Sequence, residues 1–129
     1  NSGVAFKFPA RYMVGTNLSK DSYIHVDVKD NVLDCSAETF TENRGYTYNN
    51  LEQITVNGIV FTGVYSEDAG AGNRYAQTFY TTAQNAKCYG IILSTRSSVV
   101  ELYDPPVKSF DSVGLNAIYR GMIASFSFK

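Results

Sequence analysis

Apolar and polar residues alternate with period two over much of this chain, and that alternation marks out strands. Val4, Phe6 and Phe8 alternate with Ala5 and Lys7 ahead of Pro9. This predicts a first strand, stopped by a residue that cannot donate to a ladder. In the run from Tyr23 to Lys29, Ile24, Val26 and Val28 fall on one face, and Tyr23, His25, Asp27 and Lys29 on the other. His25 is thereby placed on a polar sheet face. Ile54-Thr55-Val56 and Ile59-Val60-Phe61 flank Asn57-Gly58, a pair that tolerates the two positive φ angles of a tight hairpin, and the second arm continues through Val64 and Tyr65. Tyr75 to Thr81 and Lys87 to Thr95 read as two more strands joined by Thr82-Ala83-Gln84-Asn85, with Tyr89, Ile91 and Leu93 giving the second an apolar face. Together these runs predict an antiparallel meander at the centre of a sheet.

The period changes after the break at Tyr103-Asp104-Pro105-Pro106. Leu115, Ile118, Tyr119, Met122 and Phe126 recur at helical spacing, and Ser109 or Asp111 is available as N-cap, which predicts an amphipathic helix over 110–124. Gly114 and Gly121 each weaken it by about 1 kcal/mol relative to Ala. The helix therefore depends on packing against the sheet. Phe126 and Phe128 alternate with Ser125 and Ser127, which predicts a terminal strand. Met13 to Lys20 reads as loop, and the polar stretch from Asp30 to Asn50 contains one short helical turn at Ala37 to Phe40. The expected fold is α+β, one domain over 1–129: a single antiparallel sheet of about five to seven strands with the C-terminal amphipathic helix packed on it.

Composition narrows the partners. Ten Tyr and eight Phe with no Trp put hydroxyls on much of the aromatic area, which suits interfaces and sheet faces alike. Eleven basic and twelve acidic residues nearly cancel, and no run of like charge occurs. Nucleic acid and anionic membrane surfaces, which need a concentrated cationic patch, are excluded as main partners. No stretch approaches the roughly 20 apolar residues of a membrane-spanning helix, so no integral membrane segment is expected in this chain. No signal-like segment opens it at Asn1, so a mature or trimmed start is expected. Nothing in the composition sets an oligomeric state.

Catalytic chemistry has little to draw on. His25 is the single histidine, and no Gly-x-Ser-x-Gly elbow surrounds any serine. Cys35 and Cys88 fall at strand ends, where they form either a bridge tying two edges or two buried thiols. One histidine and two distant cysteines lack ligand spacing, so neither a metal nor a cofactor is expected. Asp27, Asp30, Asn31 and Asp34 offer oxygens without the alternation of a calcium loop, and read as a solvated turn. Glu67 with Asp68, and Asp104 with Asp111, are carboxylate pairs whose meaning depends on separation in space.

The distinctive stretch is Asp68-Ala69-Gly70-Ala71-Gly72-Asn73-Arg74-Tyr75, small residues with a charge near each end. One reading is a binding loop, in which Gly70, Gly72 and Asn73 shape the backbone while Asp68, Arg74 and Tyr75 meet a ligand. The other is a wide hairpin turn with Arg74 paired to Glu67 or Asp68. Gly70-Ala71-Gly72 ahead of Arg74 also has the makings of an anion nest, although no P-loop or dinucleotide motif accompanies it. In Tyr46-Thr47-Tyr48-Asn49-Asn50, Tyr46 and Tyr48 either stack on a sugar or partner side chain, or lie over the core.

Three resemblances add expectations. Val56-Asn57-Gly58 through Phe61, the Asp68 to Tyr75 octet, Cys88-Tyr89 and Lys108-Ser109-Phe110-Asp111 resemble a family of uncharacterised bacterial exported proteins and lipoproteins, over residues 54–126. That resemblance implies a periplasmic or lipid-anchored place at the cell envelope and a Cys35–Cys88 disulfide, and it brings no established activity. Phe6-Lys7-Phe8-Pro9 and Ile123 to Phe128 resemble the two ends of the PsbP-like fold, an antiparallel sheet sandwiched by helices. Ala71 to Tyr75 is similar to the Ser-Gly-x-Lys-Tyr loop of bacterial inhibitors of c-type lysozyme, with Ala71 in place of the serine. The expected function is a non-enzymatic envelope binding domain, with a protein or glycan ligand at the 68–75 loop. The alternatives are an inhibitor of a lysozyme-type cell-wall hydrolase and an enzyme using carboxylates alone.

Overall fold

The computed structural model describes residues 2–30, 34–41, 48–70, 72–98 and 107–127. Six strands, β1 (Ser2–Lys7), β2 (Tyr23–Asp30), β3 (Tyr48–Val56), β4 (Ile59–Gly70), β5 (Asn73–Gln84) and β6 (Lys87–Ser98), form one antiparallel sheet in the order β1-β2-β6-β5-β4-β3. One helix, α1 (Ser112–Ala124), follows them. The fold is α+β, as the change of period predicts. The meander from β3 to β6 is present, but only β5 and β6 are central, because β1 and β2 add beyond β6 and leave β3 as an edge.

Tight turns set the register. Asn57 and Gly58 take φ of 50° and 78°, the mirror-image geometry that matches strand twist, and Val56 pairs with Ile59 across them. The turn between β5 and β6 lies at Asn85-Ala86, with φ of 54° and 62°, rather than at Thr82 to Asn85. β5 runs on to Gln84 because Gln84 pairs with Lys87 directly. Between β4 and β5, Gly70 pairs with Asn73 and Asp68 with Tyr75. The wide 68–75 loop is thus replaced by two strand ends and a short turn in which Gly72 takes φ of 78°.

Helix α1 begins two residues later than expected. Asp111 is its N-cap, and its carboxylate accepts from the Gly114 amide at 2.9 Å. Leu115, Tyr119 and Ile123 recur along one stripe and bury themselves against Ile24, Phe61, Tyr80, Ile91 and Leu93 of the sheet. The Tyr119 hydroxyl lies 3.1 Å from the Thr78 carbonyl oxygen and also within hydrogen-bond distance of that of Ile91. Burial, then the neighbouring Tyr80, pushes the Tyr119 phenol far above its ordinary value, so it stays a neutral donor. Near the helix C-terminus, Arg120 binds Glu52 of edge strand β3 at 2.7 Å, and the Tyr80 hydroxyl donates to the same carboxylate oxygen at 3.2 Å. Phe126 packs edge-on against Phe61 and Tyr89 and is not in a strand, correcting the predicted terminal strand up to the described end. Phe128 lies outside the described residues.

The opposite sheet face carries a smaller core of Phe79, Ile92 and Ala37, against which Phe40, Tyr48 and Val64 pack. Its cover is the predicted turn, a 3₁₀ helix at Ala37–Phe40. Two devices hold that turn down. Cys35 is bridged to the fully buried Cys88, with Cα atoms 5.2 Å apart, and the Phe40 ring lies over Gly90, where a Cβ would approach a ring carbon to 2.7 Å. Among the described residues, a helix thus covers one face and a tethered turn part of the other.

A bridge closing a loop of this length contributes about 4 kcal/mol on the chain-entropy account. The double variant Cys35→Ala/Cys88→Ala is expected to lose roughly 3–4 kcal/mol in urea unfolding, with loss of the Phe40 to Gly90 contact visible as upfield ring-current shifts that disappear.

Candidate functional site

The register sorts the outer residues of β4, β5 and β6 into cross-strand rows. Val64, Phe79 and Ile92 form the apolar row beneath the Ala37–Phe40 turn. One step toward the hairpin tip the row is Ser66, Gln77 and Ser94, and one step further it is Asp68, Tyr75 and Arg96. Strand positions two apart share a face, so all nine side chains project the same way. The face changes from apolar and covered to polar and open within two rows.

These polar rows line a shallow cavity of about 180 Å³, with Asp21 as an added wall. The Gln77 carboxamide donates to the Ser94 hydroxyl at 3.1 Å, while Ser66 is nearly inaccessible at 3% exposure. Tyr75 is 41% exposed, and the Arg96 guanidinium sits 5.6 Å from its ring centroid. Arg96 also binds Asp21 at 3.1 Å.

Asp21 reaches this place through the segment before β2. Leu18 bridges to Ser97, the Ser19 amide donates to the Arg96 carbonyl at 2.8 Å, and the Arg96 amide donates to the Ser22 hydroxyl at 3.0 Å. Met13 to Lys20 is therefore docked along the end of β6 rather than free loop. The Ser19 hydroxyl donates to the Asp21 carboxylate, and this bond, followed by the Arg96 guanidinium, holds the Asp21 carboxyl below the usual aspartate range. An aspartate held ionised in this way does not act as a general acid near neutrality.

Of the residues expected from sequence, Asp68 and Tyr75 are brought together at this cavity. Gly70, Gly72 and Asn73 form the hairpin tip beyond it. Arg74 belongs to the other face, in a cleft with Tyr65 and Glu67 beside the start of α1. Among the described residues no salt bridge joins Arg74 to Glu67 or Asp68; the Tyr65 hydroxyl donates to Glu67 instead, at 2.5 Å. Burial and then Glu67 push the Tyr65 phenol up to about 12. Tyr48 is the first residue of β3 and packs edge-on against Phe79, 6.2 Å between centroids, so it lies over the core. Tyr46 and Ala71 lie outside the described residues.

Asp27 accepts from the Val28 amide at 2.8 Å and stands 4.0 Å from Lys29, while Asp30 pairs with Lys87 at 3.8 Å. Asn31 lies outside the described residues, among which no three His, Cys, Asp or Glu side chains converge as metal ligands. Sequence reading missed Asp21, Ser66, Gln77, Ser94 and Arg96. The available signal was that positions on the parity of Val64, Phe79 and Ile92 turn polar toward one end of all three strands.

Ser19→Ala and Arg96→Gln are each expected to raise the Asp21 carboxyl midpoint, followed by carboxyl carbon shifts between pH 2 and 6. A midpoint unmoved by both would dissolve the proposed link between Asp21 and β6. Comparison of this chain with protein-family models, curated proteins and solved structures finds no match.

Proposed function

We propose that this is a non-catalytic binding domain of the bacterial cell envelope that takes a glycan on the open face of β4, β5 and β6. The carrying observation is the pair of rows Ser66-Gln77-Ser94 and Asp68-Tyr75-Arg96 around one cavity. A sugar ring presents hydroxyls that both donate and accept, above a face of C–H groups. Serine hydroxyls and a carboxamide also do both, Arg96 only donates, Asp68 accepts when ionised, and the Tyr75 ring offers an apolar plane. Strands hold these groups more rigidly than a loop would.

The envelope location rests on the resemblance to exported proteins and lipoproteins. It is supported by the Cys35–Cys88 bridge, which persists in oxidising compartments. No helix among the described residues is long and apolar enough to cross a membrane. The likeness of the chain's ends to the PsbP-like fold belongs to the same proposal. An inhibitory loop that inserts Arg74 and Tyr75 together into an enzyme cleft has less support, since adjacent strand residues point to opposite faces.

Titration of ¹⁵N-labelled protein with soluble disaccharide–peptide fragments of cell wall tests this reading. Saturable shifts are expected at Ser66, Gln77, Ser94 and Arg96, and Gln77→Ala is expected to weaken binding about ten-fold, or about 1.4 kcal/mol. Absence of saturable shifts, or a Gln77→Ala variant that binds as well as the parent, would refute it.

A further inference from the structure

The cavity on the open face of β4, β5 and β6 carries an excess of negative charge, and that excess narrows the ligand. Two carboxylates, Asp21 and Asp68, and one guanidinium, Arg96, line it. Arg96 is already engaged, by Asp21 at 3.1 Å and by the Tyr75 ring. Among the described residues no hydrogen bond or salt bridge reaches the Asp68 carboxylate. Arg74 adjoins Tyr75 but projects to the opposite face, where it shares the recess beside the start of α1 with Glu67. The charges of that recess cancel, and those of the cavity do not.

Acceptors gather around Asp68. It lies directly opposite Tyr75, which places the two Cβ atoms about 5 Å apart. Gln77, two positions along β5 on the same face, donates its Nε2 to the Ser94 hydroxyl at 3.1 Å, and its Oε1 has no partner among the described residues. A carboxylate, a carboxamide oxygen and a half-exposed phenol ring complement an ammonium group, which has three N–H donors and no acceptor. Because Asp68 is the immediate neighbour of Tyr75, a sugar laid on that ring reaches the carboxylate with a substituent bonded directly to the pyranose, without an extended arm. We propose, resting on the glycan reading, that the sugar taken is a hexosamine with a free, protonated amine. Its ammonium pairs with Asp68 and Gln77, and its C–H face lies on Tyr75.

The probe is the disaccharide of glucosamine, and its fully N-acetylated counterpart is the control that keeps the rings and loses the charge. In mildly acidic buffer the free-amine disaccharide is expected to bind ¹⁵N-labelled protein roughly five-fold more tightly or better, with the largest amide shifts at Asp68, Tyr75 and Gln77. Raising the salt concentration is expected to shrink that advantage. Asp68→Asn, at an exposed position, is expected to bring the ratio of the two affinities to about one. Nα-acetyl-lysine methylamide supplies an ammonium without a sugar and is expected not to saturate. Equal or tighter binding of the acetylated disaccharide would overturn the amine assignment and leave the glycan reading standing. A lysine derivative that binds as tightly as the amino sugar would overturn the sugar assignment. An unchanged ratio in Asp68→Asn with a native spectrum elsewhere would overturn the role of Asp68. Saturable binding of cell-wall fragments without binding of the free-amine disaccharide would sink this inference alone, and failure of both would sink the glycan reading with it.

Discussion

A strand places successive side chains on opposite faces, so a slip of one residue in pairing would exchange every contact made by β4, β5 and β6. Short turns remove that freedom here. Val56 is held opposite Ile59, Gly70 opposite Asn73, and Gln84 opposite Lys87, and each pairing fixes the rows that follow it. From these pairings come the apolar row under the Ala37–Phe40 turn, the polar rows beyond it, and the assignment of Arg74 to one face and Tyr75 to the other. Packing reinforces the choice, because Phe61, Tyr80, Ile91 and Leu93 all meet α1 in this register alone.

The two faces are protected to different extents, and that difference creates both recesses. On the helix face, Tyr119 and the Glu52–Arg120 pair seat the middle and end of α1 closely, while the helix start stands clear of the strand ends. On the other face, the cover among the described residues is the Ala37–Phe40 turn, held by a disulfide and by the approach of Phe40 to Gly90. It packs against Phe79 and Ile92. The strands, twelve residues each in β4, β5 and β6, outrun their covers among the described residues on both sides. Beyond the Ala37–Phe40 turn the rows on that face are polar, Ser66-Gln77-Ser94 and then Asp68-Tyr75-Arg96.

Local chemistry made much of this legible in the sequence. Alternation located part of each of the six strands, Asn57-Gly58 located one turn to the residue, and Asp111 was one of the two N-cap candidates for the helix. What escaped was non-local or depended on strand length. Tyr75 was legible as a candidate ligand residue, but its neighbours Gln77, Ser94 and Arg96 are brought to it by pairing across β5 and β6, and Asp21 arrives through hydrogen bonds to β6 from a segment without periodic pattern. The octet read as a loop because Gly and Ala carry no alternation signal, although glycine is compatible with a strand end as well as with a turn. The terminal strand failed for a related reason: Phe126 satisfies its burial by stacking on Phe61 and Tyr89 without a partner strand.

The register is most directly tested by nuclear Overhauser contacts of the Tyr75 ring in the free protein. Contacts from the ring to the Arg96 side chain, together with contacts from Arg74 toward Phe110 or Ser112, are expected from the pairing of Tyr75 with Arg96. Contacts from the Tyr75 ring to Phe110 or Ser112 would place Tyr75 on the helix face, and would contradict both the polar rows and the position of Arg74.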